Sequence, residues 1–271
     1  MTSAMKKIFL ALILLVSICF HLPAQTRIVG HRGYHTTGDS YENTVSALRN
    51  CQRLGVYAME FDVNMTSDDS LVVFHGPMIL KTGLNIQKTN FKEVRSVRLP
   101  DGEQIPTLRE FLKVAKESPM QVICEIKTHY TKERDEFVTS RICALADELG
   151  MGSQLEFTSF SEWACDYLAA NRPGAEIIYI SSNINAMGAA EARKRGYTGI
   201  SYDLKVFQAR PELFSEARAE GIKTTYWTPD NASAVWWGIE HKPDFISSNH
   251  PDRAKALLDA YNAFNEKVTG K

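Results

Sequence analysis

The chain has 271 residues, and 31 Lys and Arg stand against 32 Asp and Glu, a formal net charge of −1. Nothing in that balance suggests the basic patch that nucleic-acid binders usually show. A hydrophobic content of 44% excludes a disordered chain, and the length suits one large domain.

In chain order, residues 1–25 read as an address. Lys6 and Lys7 precede an apolar run from Ile8 to Phe20, and Leu22-Pro23-Ala24-Gln25 follows with small and turn residues. This is the pattern of a cleaved secretory signal peptide, with a run too short to span a bilayer comfortably. Cleavage is expected near Ala24 or Gln25, with export to a periplasm or to the medium. Cys19 follows Ile18 rather than the small residue that a lipoprotein signal requires. The remaining 246 residues carry 29 basic and 32 acidic side chains. No later segment is apolar for long enough to predict a membrane span. Cys51, Cys124, Cys143 and Cys165 have spacings that form neither a disulfide framework nor a zinc pattern, so they are expected as small buried residues.

Strands are predicted at Arg27 to Gly30, Tyr57 to Val63, Leu71 to Phe74, Gln121 to Ile126 and Leu155 to Thr158. Four more follow at Glu176 to Ile180, Gly199 to Tyr202, Lys223 to Trp227 and Asp244 to Ser247. Between most of them the sequence predicts helices: Thr44 to Leu54, Leu108 to Lys116, Lys132 to Leu149, Glu162 to Ala170, Ala189 to Arg195, Glu212 to Glu220 and Ala232 to Ile239. Such alternation argues for an α/β fold with a parallel sheet. The length, and the polar strand ends described next, favour a single-domain (β/α)8 TIM barrel over residues 26–262. Nine strand candidates compete for eight places. Residues 66–70 are too short for a crossover helix, so one candidate is either irregular or sits at the rim. Residues 76–106 are expected as a small irregular excursion on the catalytic face, and 263–271 as a loose tail.

Barrel strands are ordinarily apolar, yet several here finish with ionisable residues. Arg27-Ile28-Val29-Gly30 runs into His31-Arg32-Gly33. Glu60 and Asp62 share one strand face, as do Glu125 and Lys127, because residues two apart point the same way. Leu71-Val72-Val73-Phe74 ends in His75. Singly, each is compatible with a solvated strand edge or a surface ion pair; the recurrence in four strands is the signal. Barrel active sites sit at the C-terminal strand ends. Carboxylates gathered there would repel one another, and a divalent cation removes that conflict. Oxygen ligands without a thiolate point to Mg²⁺ or Ca²⁺.

These residues in this order resemble the glycerophosphodiester phosphodiesterase family. The likeness runs through His31-Arg32-Gly33, Glu42-Asn43-Thr44, Glu60-x-Asp62-Val63, Leu71-Val72-Val73-Phe74-His75, Ile105-Pro106-Thr107-Leu108 and Glu125-x-Lys127. Later echoes are Thr158-Ser159-Phe160, Tyr226-Trp227-Thr228 and Asp244-Phe245-Ile246-Ser247. It covers about residues 27 to 258. There are departures: Tyr41 where the family usually has Pro, Gly76 where it has Asp, Pro229-Asp230-Asn231 where Val-Asn follows Trp-Thr, and Ser248-Asn249-His250-Pro251 in place of Thr-Asp-x-Pro.

The resemblance implies metal-dependent hydrolysis of a small glycerophosphodiester to an alcohol and glycerol 3-phosphate, with Glu60, Asp62 and Glu125 holding one divalent cation. In similar enzymes the substrate's own 2-hydroxyl can attack first, so no Ser or Cys nucleophile is needed. Arg32 offers a planar fork to phosphate oxygens and Lys127 a point charge. His31 and His75 are the expected acid–base pair, their roles interchangeable on sequence grounds. Glu42 either orients Arg32 or approaches the metal. Trp227 either packs the apolar edge of glycerol or serves as rim packing, and His35 is read as a bystander. Rival readings are a phospholipase C- or D-like enzyme on intact lipid, a silent binding protein on the same fold, and a glycosidase. Lys81, Lys88, Lys92 and Arg95 make the excursion polar, which weighs against the first.

Overall fold

Short runs rich in Val, Ile and Phe make strands here because the branched side chains fit a pleated surface buried on both faces. The computed structural model describes residues 25–37 and 39–270. The expected signal segment, Gln25 apart, lies outside the described residues. The strands are β1 (Arg27–Gly30), β2 (Ala58–Met65), β3 (Leu71–Val73), β4 (Met78–Ile79), β5 (Leu84–Asn85) and β6 (Gln121–Ile126). They continue with β7 (Leu155–Ser159), β8 (Ile177–Ser181), β9 (Gly199–Asp203), β10 (Lys223–Trp227) and β11 (Phe245–Ser248). The order β1-β11-β10-β9-β8-β7-β6-β2 closes through a β1–β2 pairing into a barrel of eight parallel strands. The fold is the expected TIM barrel. The ninth candidate, β3, pairs antiparallel with β2 through Val63 and Val73, outside the ring. The 66–70 connection makes a hairpin, with Asp69 in the left-handed region at φ 66°.

The helices are α1 (Val45–Leu54), α2 (Phe91–Ser96), α3 (Leu108–Ala115), α4 (Lys132–Glu148) and α5 (Glu162–Asn171). After them come α6 (Ala189–Lys194), α7 (Leu204–Ala209), α8 (Glu212–Glu220), α9 (Ala232–His241) and α10 (Pro251–Thr269). Side-chain caps start several of them: Thr44 accepts from Ala47 N at α1, and Thr107 forms a reciprocal capping box with Glu110 at α3. Residues 263–269 continue α10 where a loose tail was expected. Helix propagation from the buried turn at Ala254 and Leu258 costs little per residue, although the last turns leave Phe264 exposed.

Strand alternation sorts the core into two layers. Met59, Phe61 and Val63 of β2 join the large cluster between barrel and helices, where the Phe61 ring lies 4.6 Å from Phe111. A smaller cluster of Val29, Ala58, Ile123, Ile178 and Phe245 packs within the barrel and forms an apolar floor. The four cysteines are buried and unpaired, as expected. Residues 76–106 are better organised than the irregular excursion foreseen. The β4–β5 hairpin, a 3₁₀ turn at Ile86–Lys88 and α2 enclose their own core of Ile79, Ile86, Val94 and Ile105 against Val72 and Phe74. Met78 and Leu80 stand exposed on the hairpin.

Candidate active site

The turn after β1 is built by exclusion of side-chain volume. A Cβ on Gly30 would meet Cys51 Sγ at 2.5 Å. Gly33 has φ +93°, and a Cβ there would come within 2.7 Å of Ala47 Cβ. The tight turn between these two glycines projects His31 and Arg32 over the C-terminal mouth of the barrel, with Arg32 itself at φ 54°.

At that mouth a cavity of about 230 Å³ is lined by His31, Arg32, Glu60, His75, Glu125 and Lys127, with Trp227 on its wall. Asp62 sits directly behind, at 1% exposure. Register explains the cluster: Asp62 of β2 lies opposite Glu125 of β6 on neighbouring parallel strands. Ligand oxygens of Glu60, Asp62 and Glu125 all lie within 4.8 Å of one another. The structure thus brings the two histidines, Arg32, Lys127, Trp227 and the three carboxylates to one end of the barrel. Glu42 meets Arg32, its Oε2 accepting from Nη1 at 3.1 Å, and is not among the clustered carboxylates.

Bonding within the cluster is uneven. Lys127 Nζ donates to Glu125 Oε1 at 2.5 Å and to Asp62 Oδ1 at 3.1 Å. Arg32 backbone N donates to Glu60 Oε2 at 2.9 Å, which leaves Glu60 Oε1 buried without a partner. Arg32 Nη2 donates to His75 Nε2 at 2.7 Å, and Asn249 Oδ1 lies 2.7 Å from His31 Nδ1. Burial, then the charges of Asp62 and Glu125, holds the Glu60 carboxyl well above the usual carboxylate range. Burial and Asp62 raise Glu125 to about 7 even with Lys127 beside it. Burial would raise Asp62 too, but Lys127, His75 and Arg32 outweigh it and hold it at about 2. Burial lowers His31 to about 4, with Arg32 adding to the effect, and burial is the main cause lowering His75.

The orphaned oxygen belongs to one of two buried carboxyls that resist ionisation, Glu60 and Glu125, and with Asp62 they make a candidate place for a cation. The donors are all oxygen, which fits a hard divalent ion. With every group in its ordinary charge state, three carboxylates exceed Arg32 and Lys127 by one negative charge. A divalent ion turns that to one positive charge, which a phosphodiester monoanion cancels.

Sequence reasoning missed Asn43, the second clamp on the cluster. Its Nδ2 donates to Asp62 Oδ2 at 2.8 Å, and its Oδ1 accepts from Asp62 N at 3.0 Å. Its place between Glu42 and Thr44 was the available signal. Phe160, 5.9 Å from Trp227 ring to ring, and Asn249 were missed as well. His35 does not line the cavity.

Fold and site together define a TIM-barrel hydrolase suited to an anionic ester. Residues 31–253 match the Glycerophosphoryl diester phosphodiesterase family, and the chain belongs to it. A glycerophosphodiester phosphodiesterase of Caldanaerobacter subterraneus is 22% identical over 240 residues, covering 84% of this chain and 96% of its relative. The crystal structure of a glycerophosphodiester phosphodiesterase from Parabacteroides distasonis superposes with a TM-score of 0.84 at 29% identity, over 88% of this chain and 99% of the other. An Oleispira antarctica phosphodiesterase, solved in complex with the product sn-glycerol-3-phosphate, gives a TM-score of 0.77 at 21% identity, over 87% and 97%. The chain is a phosphodiesterase of the hydrolase class. No helix of the described residues is long and apolar enough to cross a membrane.

Proposed function

We propose that this protein hydrolyses small glycerophosphodiesters to an alcohol and glycerol 3-phosphate, using one divalent cation, Mg²⁺ or Ca²⁺, held by Glu60, Asp62 and Glu125. The observation that carries the reading is the partnerless Oε1 of Glu60, buried within a cluster whose oxygens lie within 4.8 Å of one another. The product complex of the Oleispira enzyme supports the same substrate class for this cavity.

The cation supplies Lewis-acid stabilisation of charge growing on phosphate oxygens. The protein's own groups do the rest. Arg32, already aimed by Glu42, offers two donors to the phosphate. Lys127 places its ammonium on the same wall, where burial opposes its charge but Asp62 and Glu125 raise its pKa, so it stays protonated. His31 and His75 stand at the cavity as the acid–base pair. Trp227, fixed by Nε1 donating to Ser201 O at 3.2 Å, presents its ring to the apolar edge of glycerol. The basic and apolar opening of the sequence supports export ahead of this activity.

The test is hydrolysis of glycerophosphocholine and related diesters after exhaustive chelation, with metals added back singly. Activity absent under chelator and restored by Mg²⁺ or Ca²⁺ is expected. Full turnover in excess chelator rules out the metal role. His31→Ala and His75→Ala are each expected to lower kcat by about 10²–10⁴ with the barrel intact by circular dichroism.

A further inference from the structure

A chain of polar groups crosses three neighbouring strand ends. Asp230 follows β10, Asn249 follows β11 and His31 follows β1, and these strands lie side by side in the barrel. Asn249 Nδ2 donates to Asp230 Oδ2 at 2.7 Å, and Asn249 backbone N donates to Asp230 Oδ1 at 3.0 Å. Ser248 Oγ donates to Pro229 O at 2.8 Å and to Asp230 Oδ1 at 3.3 Å, which fixes the same corner. Asn249 Oδ1 then faces His31 Nδ1 at 2.7 Å.

The chain requires a hydrogen on His31 Nδ1. A carboxylate accepts and cannot donate, so the amide nitrogen of Asn249 must face Asp230. The amide oxygen is thereby turned to His31, and an oxygen there requires a hydrogen on Nδ1. A neutral imidazole with hydrogen on Nδ1 carries its lone pair on Nε2. Among the described residues no hydrogen bond engages His31 Nε2, and His31 lines the cavity.

We propose that Asp230 and Asn249 are positioning residues that lock His31 in its Nδ1–H tautomer, making His31 the base of the first step. The inference rests on His31 belonging to the acid–base pair. As the attacking hydroxyl oxygen bonds to phosphorus, its proton passes to His31 Nε2, and the bond to the leaving oxygen breaks. The leaving oxygen takes a proton from His75. A guanidinium only donates, so Arg32 now occupies the lone pair of His75 Nε2. Movement of Arg32 onto the phosphate frees that nitrogen to take a proton from solvent and later give it up. The ionisable groups facing His31 are Arg32, Asp62 and His75, and His35 flanks Asn249. None of them competes for Nδ1 in this geometry.

The tautomer is directly readable. Histidine-¹⁵N-labelled protein, in excess Mg²⁺ and again in excess Ca²⁺, gives distinct nitrogen shifts and long-range proton couplings for the two forms. The His31 signals are assigned by their loss in His31→Gln. The Nδ1–H form is expected in the wild type; a predominant Nε2–H form overturns the proposal without any question of misfolding. In kinetics, Asn249→Leu is expected to lower kcat about 100-fold with KM within about twofold, while Asn249→Asp, which keeps an acceptor oxygen, retains at least about a tenth of kcat. Equal losses in both, with an unchanged His31 tautomer, also overturn it. His31→Gln separates the two layers of argument. Near-normal turnover in that variant defeats the acid–base reading itself, whereas a dead variant with an Nε2–H His31 in the wild type defeats only the relay.

Discussion

Gly33 is the residue on which the geometry of Arg32 depends. At φ +93° an alanine is strained, and its Cβ would stand 2.7 Å from Ala47 Cβ and 2.9 Å from Met59 Cε. Gly33→Ala is therefore expected to destabilise the protein by about 2–4 kcal/mol, read from the midpoint of urea unfolding. A change under about 0.5 kcal/mol would mean that the turn relaxes freely. Asn43 makes the same point with polar atoms. It holds both the carboxylate and the backbone of Asp62 and does so at φ 61°, which Asn tolerates better than most residues. Asn43→Ala should lower kcat at least about tenfold and cost about 1–3 kcal/mol, since a buried carboxylate loses a donor. Activity equal to wild type would show that Lys127 alone positions Asp62. The residues that bear charge were legible in the sequence because charged types are out of place at the ends of apolar strands. Asn43 and Asn249 were not legible as clamps, because a neutral amide in a loop is ordinary and its meaning lies in which distant carboxylate or imidazole it meets.

Among the elements, α9 and β10 meet at a contact with no slack. Tyr226 is fully buried, its hydroxyl donates to Ala234 O at 3.0 Å, and a Cβ on Gly238 would fall 1.7 Å from that hydroxyl oxygen. Gly238→Ala must push α9 away from the barrel, at an expected cost of about 3 kcal/mol or more in thermal or urea unfolding. An unchanged melting curve would mean that the Tyr226 ring turns aside without loss. The eight barrel strands were readable because each is a short apolar run, and the shortness of the 66–70 link showed that the candidates exceeded the barrel by one. The hairpin escaped because its strands have only two residues each, too few for a period to register. α10 did carry a signal, since Ala254, Leu257, Leu258 and Tyr261 recur at helical spacing. The separate core of the 78–105 region has a dynamic consequence. Its apolar cluster is distinct from the main core, so it can open alone. Ile86→Ala should speed amide hydrogen exchange across 78–105 while β6 to β9 stay protected. Uniform loss of protection would instead make the excursion one cooperative unit with the barrel.

At the scale of the whole molecule, the three clustered carboxylates oppose the fold, and the proposed cation would relieve them. Glu60, Asp62 and Glu125 lie on two adjacent strands of the closed ring, at 8%, 1% and 7% exposure, so their mutual repulsion acts on the barrel itself. A cation that binds only the folded state stabilises it by about 2.7 kcal/mol at one hundred times Kd. For a domain of this size each kcal/mol corresponds to about 2–4 °C of Tm. Saturating Mg²⁺ or Ca²⁺ is thus expected to raise Tm by several degrees over chelated protein, a readout independent of turnover. The sign reverses when the charges are removed. Joint Glu60→Gln and Glu125→Gln substitution relieves the repulsion, so the chelated variant should melt no lower than chelated wild type, and its Tm should no longer respond to added cation. A variant that still gains stability from Mg²⁺ or Ca²⁺ would place the ion elsewhere. One that melts far below chelated wild type would show that the two carboxyls hold the barrel together through Lys127 and Arg32 instead of straining it.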